Sequence, residues 1–209
     1  MHTVNTLRID RCAFVFIDHQ PWVAFPVQSI GPAELVDNVS GLAKVARALG
    51  VPTVLTTISG RGGPLNDPLF TQLSDVFPGV EPIDRRNTNA WADPAFVAAI
   101  EATGRRQLVM CGLWTEVCLA QTVLSALRAG YEVAYVADCS GGLSVEAHEE
   151  AKRRMSAAGA IPMTWQAVMA ELCPDNTAPE YQALYPVVLQ HGAGVGLAVQ
   201  YYAAQLGAR

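Results

Sequence analysis

Six residues without a polar break, Cys12-Ala13-Phe14-Val15-Phe16-Ile17, stop abruptly at Asp18. A strand with one face in water alternates apolar and polar residues. A strand apolar at every position must be covered on both faces, which is the condition inside a parallel sheet. Similar short runs recur at Val51 to Ile58, Val80 to Ile83, Gln107 to Leu113, Tyr131 to Ala137 and Ile161 to Thr164.

Helical patterns fill the intervals. From Pro32 to Leu49 the apolar residues Leu35, Val39, Leu42, Ala46 and Leu49 recur three or four apart, and Gly50 closes the segment. A short helix is expected near Leu69 to Phe77, another starting at Asp93-Pro94, one carrying Cys118 to about Arg128, and one from Ser144 to Ala158. Strands alternating with helices from end to end predict an α/β fold with a mostly parallel sheet covered on both faces. Residues 59–68 read as a turn-rich loop bordering a cleft.

At 209 residues, 51% of them hydrophobic, the chain is sized for one well-buried domain, placed at residues 1–177. Residues 178–209 read as a helical tail. Tyr181 to Leu189 is apolar and helical, Gly192-Ala193-Gly194 breaks it, and Gly196 to Gln205 is apolar around most of a helix. Such a tail wraps its own domain or packs on a neighbouring subunit, and a homo-oligomer is expected.

A net charge of −5 with scattered basic pairs argues against nucleic acid as a partner. No apolar run is long enough to span a membrane. The first ten residues lack the pattern of a signal peptide, and five cysteines without a spaced framework fit a reducing compartment, so a cytoplasmic location is expected.

In an open parallel sheet reactive groups collect at the carboxyl ends of the strands. That edge is expected to carry Asp18, Arg85, Cys118 and Asp138. Cys118 follows a strand that breaks at Gly112 and sits where a helix begins, so unpaired N–H groups and the helix dipole are expected to favour its thiolate. Asp18 suits the role of proton acceptor and Arg85 that of fixed cation. The bland alternative makes Asp18 a turn cap and pairs Arg85 with Asp84 on the surface. Cys12 and Cys111 read as core, Cys139 as packing, and Cys173 carries no partner motif.

Three segments then occur together: Phe16-Ile17-Asp18-His19-Gln20, Ile83-Asp84-Arg85 with Asn89-Ala90-Trp91, and Gly112-Leu113-Trp114-Thr115-Glu116-Val117-Cys118. In order and spacing they resemble the isochorismatase-like cysteine hydrolases. Asp138-Cys139-Ser140-Gly141-Gly142 and Met163-Thr164-Trp165 resemble the YcaC-related subgroup in particular. The resemblance implies a Rossmann-like three-layer α/β/α fold with a six-stranded sheet. It also implies a catalytic triad of Asp18, Arg85 and Cys118, with arginine where the broad family has lysine. It further implies a cis peptide at Leu113-Trp114, aiming the backbone N–H groups of Trp114 and Cys118 at one oxyanion.

Nicotinamidases of the family resemble one another in an Asp and His cluster after the second strand. Here that region reads Thr56-Thr57-Ile58-Ser59-Gly60-Arg61, so no metal and no cofactor are expected. His19, next to Asp18, is assigned to packing or a cleft-edge contact. Trp22, Phe25, Asn89, Trp91, Trp114 and Trp165 are expected to line a compact apolar pocket. The leading expectation is a cofactor-independent cysteine hydrolase that cleaves a C–N bond of a small uncharged amide. A non-catalytic binding or scaffold protein is the alternative, and a redox sensor with Cys139 resolving Cys118 is a third.

Overall fold

The computed structural model describes residues 6–60 and 67–207. Six strands form one sheet: β1 (Cys12–Ile17), β2 (Thr53–Ile58), β3 (Ile83–Arg85), β4 (Gln107–Gly112), β5 (Glu132–Val136) and β6 (Ile161–Met163). Every pairing is parallel and the order across the sheet is β3-β2-β1-β4-β5-β6. β1 is central, and all six of its residues are buried.

Alternation along β1 sorts the core into two layers. Cys12, Phe14 and Phe16 face one side, with Val109, Cys111 and Val136. There they meet α2 (Pro32–Ala48), α7 (Trp165–Leu172) and α8 (Pro179–His191). Ala13, Val15 and Ile17 face the other side, with Leu108, Met110 and Tyr135. That side is covered by α4 (Pro94–Ala102), α5 (Ala120–Arg128) and α6 (Val145–Ala157). Burying each large apolar side chain contributes about 1.5–3 kcal/mol, so this two-sided cover anchors the centre of the sheet.

The remaining helices are short α1 (Pro21–Ala24), α3 (Thr71–Ser74) and C-terminal α9 (Ala193–Gly207). Caps fall where the sequence places them: Asp93 accepts from Ala95 N, and Ser144 from Ala147 N.

Several boundaries differ from the expectation. β2 starts at Thr53 rather than Val51, because Val51 N–H bonds back to Ala46 O and Pro52 has no N–H. The third strand is Ile83–Arg85, not Val80 to Ile83: Val80 N–H turns back to Phe77 O, and Pro82 donates nothing. The helix near Leu69 to Phe77 shrinks to Thr71–Ser74. α7 has no counterpart in the sequence reading. Residues 61–66 of the loop at 59–68 lie outside the described residues.

The tail at 178–209 is two different things. α8 docks on α2 and buries Leu184, Val187, Val188 and His191. α9 meets α8 but buries only Gly196, leaving Val195, Leu197, Tyr201, Tyr202 and Leu206 exposed.

Candidate active site

The strand order reverses direction between β1 and β4, and a crevice opens outside the carboxyl ends of strands at such a switch point. Asp18 leaves β1 there and Cys118 follows β4. The two strands approach closely: a Cβ added to Gly112 would lie 2.7 Å from Ile17 Cβ. Only glycine fits that crossing, and it lets the chain turn from β4 through Leu113 into the site. The Leu113-Trp114 peptide is cis, and a π-turn at Thr115–Leu119 follows, closed by Leu119 N–H to Trp114 O at 3.3 Å. Cys118 sits within this turn, where helix-opening N–H groups lack intrahelical partners.

Asp18 adopts φ 58, a left-handed conformation that aspartate tolerates better than most residues. Its carboxylate accepts from Thr56 Oγ1 at 2.8 Å and from Arg85 Nη2 at 2.5 Å. Arg85 ends β3, reaches past β2 to make that contact, and gives Nη1 to Asn87 O. Both charged side chains are fully shielded from solvent. Cys118 lies beside this pair, close enough that the charges of Asp18 and Arg85 both act on its thiol. The surface pairing of Arg85 with Asp84 is thereby excluded. Asp84 instead accepts from Thr57 Oγ1 and Gly60 N–H.

Burial decides where the protons rest. It pushes the Cys118 thiol up to about 12; the Asp18 charge adds to the rise and Arg85 opposes it. Burial also raises Asp18, against the pull of Arg85 and of the hydrogen bond from Thr56. This corrects the sequence-based view of Cys118 as a stabilised thiolate. With the residue 4% exposed, loss of hydration outweighs the helix end and the arginine, and the resting group is a thiol beside Asp18.

The expected pocket residues separate. Trp22 lies on α1 and Phe25 caps its C-terminal end, just after Asp18; both are exposed, Phe25 by 87%. Trp114 is half-buried, its Nε1–H donating to Val23 O at 2.7 Å, which ties the turn to α1. Asn89 caps a 3₁₀ turn by accepting from Trp91 N–H, and donates to Ser125 Oγ. Trp91 packs edge-on against Phe96 and Tyr131. Trp165 is 2% exposed in the α2 layer, on the opposite face from Cys118, with Nε1–H donating to Asn38 Oδ1. Trp165 opens α7 and turns into the core, so nearness to a strand end in sequence did not carry it to the site.

Cys139 also belongs to the α2 layer, whereas Cys118 belongs to the layer of α5. The sheet between them removes the redox pairing. His19 is fully buried and bonds through Nε2 to Cys139 O at 2.9 Å, and burial holds it down at about 4. Thr56 and Gln20 are the site residues to which the sequence reading gave no role. Gln20 accepts from Ile58 N–H at 2.8 Å and donates to Asp67 O at 2.7 Å, pinning the end of β2 beside Arg85. Thr56 is one of three threonines in β2, so its residue type alone did not single it out. Among the described residues, no group of three or more His, Cys, Asp or Glu side chains is arranged to hold a metal ion.

Comparison with known proteins bears on the same residues. The model of the Isochorismatase domain matches residues 12–167. Probable hydrolase YcaC of Escherichia coli K12 is 40% identical over 172 residues, covering 81% of this chain and 82% of that protein. The structure of Pseudomonas aeruginosa YcaC with hexane-2,5-diol and covalent acrylamide superposes with a TM-score of 0.91 at 36% identity, over 97% of this chain and 100% of that one. The Escherichia coli YcaC gene product, described as an octameric hydrolase of unknown specificity, gives 0.92 at 34% identity over 98% and 100% of the two chains.

Proposed function

The chain belongs to the isochorismatase family, and we propose that within it the protein is a cysteine hydrolase that cleaves the C–N bond of a small uncharged amide without a cofactor. The observation that carries this reading is the sealed Asp18–Arg85 pair at the switch point of the sheet, with the buried Cys118 thiol beside it and subject to both charges. It supplies a nucleophile, a proton acceptor and a fixed cation in one place.

Asp18 takes the Sγ proton as sulfur attacks the carbonyl carbon, so a C–S bond forms while the carbonyl electrons move to oxygen. The backbone N–H groups of Trp114 and Cys118 hold that oxyanion. Asp18 then returns the proton to nitrogen, the C–N bond breaks and the amine leaves. Water, deprotonated by Asp18, cleaves the thioester and restores the thiol. Arg85 stays charged throughout and keeps Asp18 in position. The raised Asp18 is a stronger base than an ordinary carboxylate, which suits it to a thiol that rests protonated. Its charge is already engaged by Asp18, so Arg85 offers little to an anionic substrate, and Trp22, Phe25 and Trp114 are proposed as apolar walls.

The Pseudomonas aeruginosa relative bears covalent acrylamide, a small primary amide, which supports an electrophile of that size here. The test is intact-mass measurement after incubation with acrylamide and with a panel of small amides. An acyl adduct formed with loss of the amine in the wild type and absent in Cys118→Ala supports the reading, whereas an adduct with the full mass of acrylamide reports only a nucleophilic thiol. An adduct that survives Cys118→Ala, or no adduct and no amine release with any amide, replaces it with the non-catalytic binding protein.

We also read the chain as a homo-oligomer that covers the apolar face of α9 with another copy. The octameric Escherichia coli relative supports this, and a light-scattering mass of 22.3 kDa would refute it.

A further inference from the structure

A second hydrogen-bonded chain of ionisable groups lies in the groove between α2, α3 and α8, in the layer opposite Cys118. The groove encloses about 810 Å³, and its charged or ionisable lining is Asp37, Lys44, Arg47, Asp75 and His191. His191, the last residue of α8, is 6% exposed. Its Nδ1 lies 2.7 Å from Asp37 Oδ1, and its Nε2 lies 2.8 Å from Lys44 Nζ. Lys44 Nζ also donates to Gln190 Oε1 at 2.7 Å.

The seat for the imidazole is built into α2. A Cβ at Gly41 would come within 3.2 Å of His191 Cβ and 3.3 Å of the Trp165 ring. Glycine lets both rings lie close against the helix, and a methyl there would push them back by a few tenths of an ångström.

Hydrogen-bond accounting fixes the roles. A carboxylate only accepts, so Nδ1–H donates to Asp37 and the Nε2 lone pair faces the lysine. This is an arrangement of nucleophile, base and orienting group: Lys44, His191 and Asp37. Lys44 is only partly buried, and the groove opens onto its amine.

We propose that Lys44 is a nucleophilic amine and a covalent modification site for small activated acyl donors, the thioesters and acyl phosphates. The Lys44 ammonium first gives one proton to water; the free amine then attacks the carbonyl carbon, a C–N bond forms as the carbonyl electrons move to oxygen, and His191 Nε2 accepts the second proton that nitrogen sheds. The C–S or C–O bond to the leaving group breaks, and its electron pair departs on thiolate or phosphate. The imidazolium gives its proton to that leaving group or to water. An amide on Lys44 is the product, and it carries no charge. This site is independent of Cys118.

The chain has two lysines, and the second is an internal reference. Lys152 is also partly buried and pairs with Glu149 at 2.8 Å, with no imidazole in that contact. The wild-type protein is treated near neutral pH with S-acetyl-N-acetylcysteamine, a small thioester, and acetylation at each lysine is followed by peptide mass spectrometry. Lys44 is expected to react at least tenfold faster than Lys152. His191→Gln should abolish that advantage, and Asp37→Asn should reduce it severalfold. Asp37 is 49% exposed in its side chain, so its variant carries the test if His191→Gln does not fold. Wild-type reactivity at Lys44 no greater than at Lys152, or a ratio that Asp37→Asn leaves unchanged, overturns the proposal.

Discussion

Two chains of polar contacts sit on opposite faces of one sheet, and they differ in water. At the switch point, Asp18, Arg85 and Cys118 are sealed, the first two with no side-chain exposure at all. In the α2–α8 groove, His191 is sealed but Asp37 is 49% exposed and Lys44 is partly open. In the sealed cluster desolvation dominates: it raises both the carboxyl and the thiol despite an arginine beside each. In the open cluster the geometry of the hydrogen bonds assigns the roles. Burial thus sets proton affinities in the first site, and orientation sets direction in the second.

The largest effect should come from Asp18→Asn, which keeps shape and removes the carboxylate proposed to take the Cys118 proton. Turnover should fall by about 10²–10⁴-fold, with the circular dichroism spectrum preserved. Retention of more than a tenth of the wild-type kcat would show that another base serves the thiol, and the contrast between the two clusters would lose its chemical meaning.

The alkaline limb of stability tests the sealed character directly. The ordinary cysteine value of 9.0 rises to about 12 at Cys118, so the folded protein holds this proton more tightly than the unfolded chain does. The resulting stability is complete below about pH 9 and is lost as pH rises toward about 12. Linkage gives about 1.4 kcal/mol per pH unit, about 4 kcal/mol over the whole span. Cys111 and Cys139, which burial also raises well above the ordinary value, contribute equally to wild type and to Cys118→Ala. Urea unfolding between pH 9 and 10.5 should therefore fall more steeply for wild type than for Cys118→Ala, and parallel lines would mean that water reaches the thiol.

Arg85→Lys is a smaller perturbation, because the charge remains. The guanidinium sends Nη2 to Asp18 and Nη1 to Asn87 O, a fork that a single ammonium reproduces poorly. Activity is expected to drop by about ten- to a hundredfold, mainly in kcat. A variant with full activity would reduce Arg85 to a point charge.

The sealed cluster was legible in the sequence and the open one was not, for a physical reason. Asp18 and Arg85 stand at or just after strand ends and Cys118 opens the helical turn after β4, so a correct strand order brings them together. The cis Leu113-Trp114 bond also matches what the family resemblance implied. Thr56 escaped because its neighbours read simply as strand, and the thiol's proton affinity escaped because a helix end is visible in sequence while the depth of burial is not. Trp165 was misplaced for a related reason: a tryptophan after a strand can open a helix and turn inward. Asp37 and His191 are 154 residues apart, and they meet only because α8 docks on α2. No local pattern announces that docking; of the two destinations that the sequence offers the tail, its own domain or a neighbouring subunit, α8 takes the first.

Gly41→Ala should give the smallest effect and the most selective one. The added methyl would stand 3.2 Å from His191 Cβ and 3.3 Å from the Trp165 ring, close enough that the neighbours must shift by a few tenths of an ångström. Overpacking of that kind costs about 1 kcal/mol or somewhat more, while alanine gains about 1 kcal/mol over glycine inside a helix. The two nearly cancel, so the midpoint of thermal unfolding should move by only a few degrees. The imidazole, however, is displaced from Lys44, and a hydrogen bond that begins at 2.8 Å weakens as it lengthens. Thioester acetylation at Lys44 relative to Lys152 should then fall severalfold in a protein of nearly unchanged stability, whereas Cys118 chemistry on the other face of the sheet stays as it was. Equal loss at both sites would mean that the sheet transmits the strain and that the two faces are not independent.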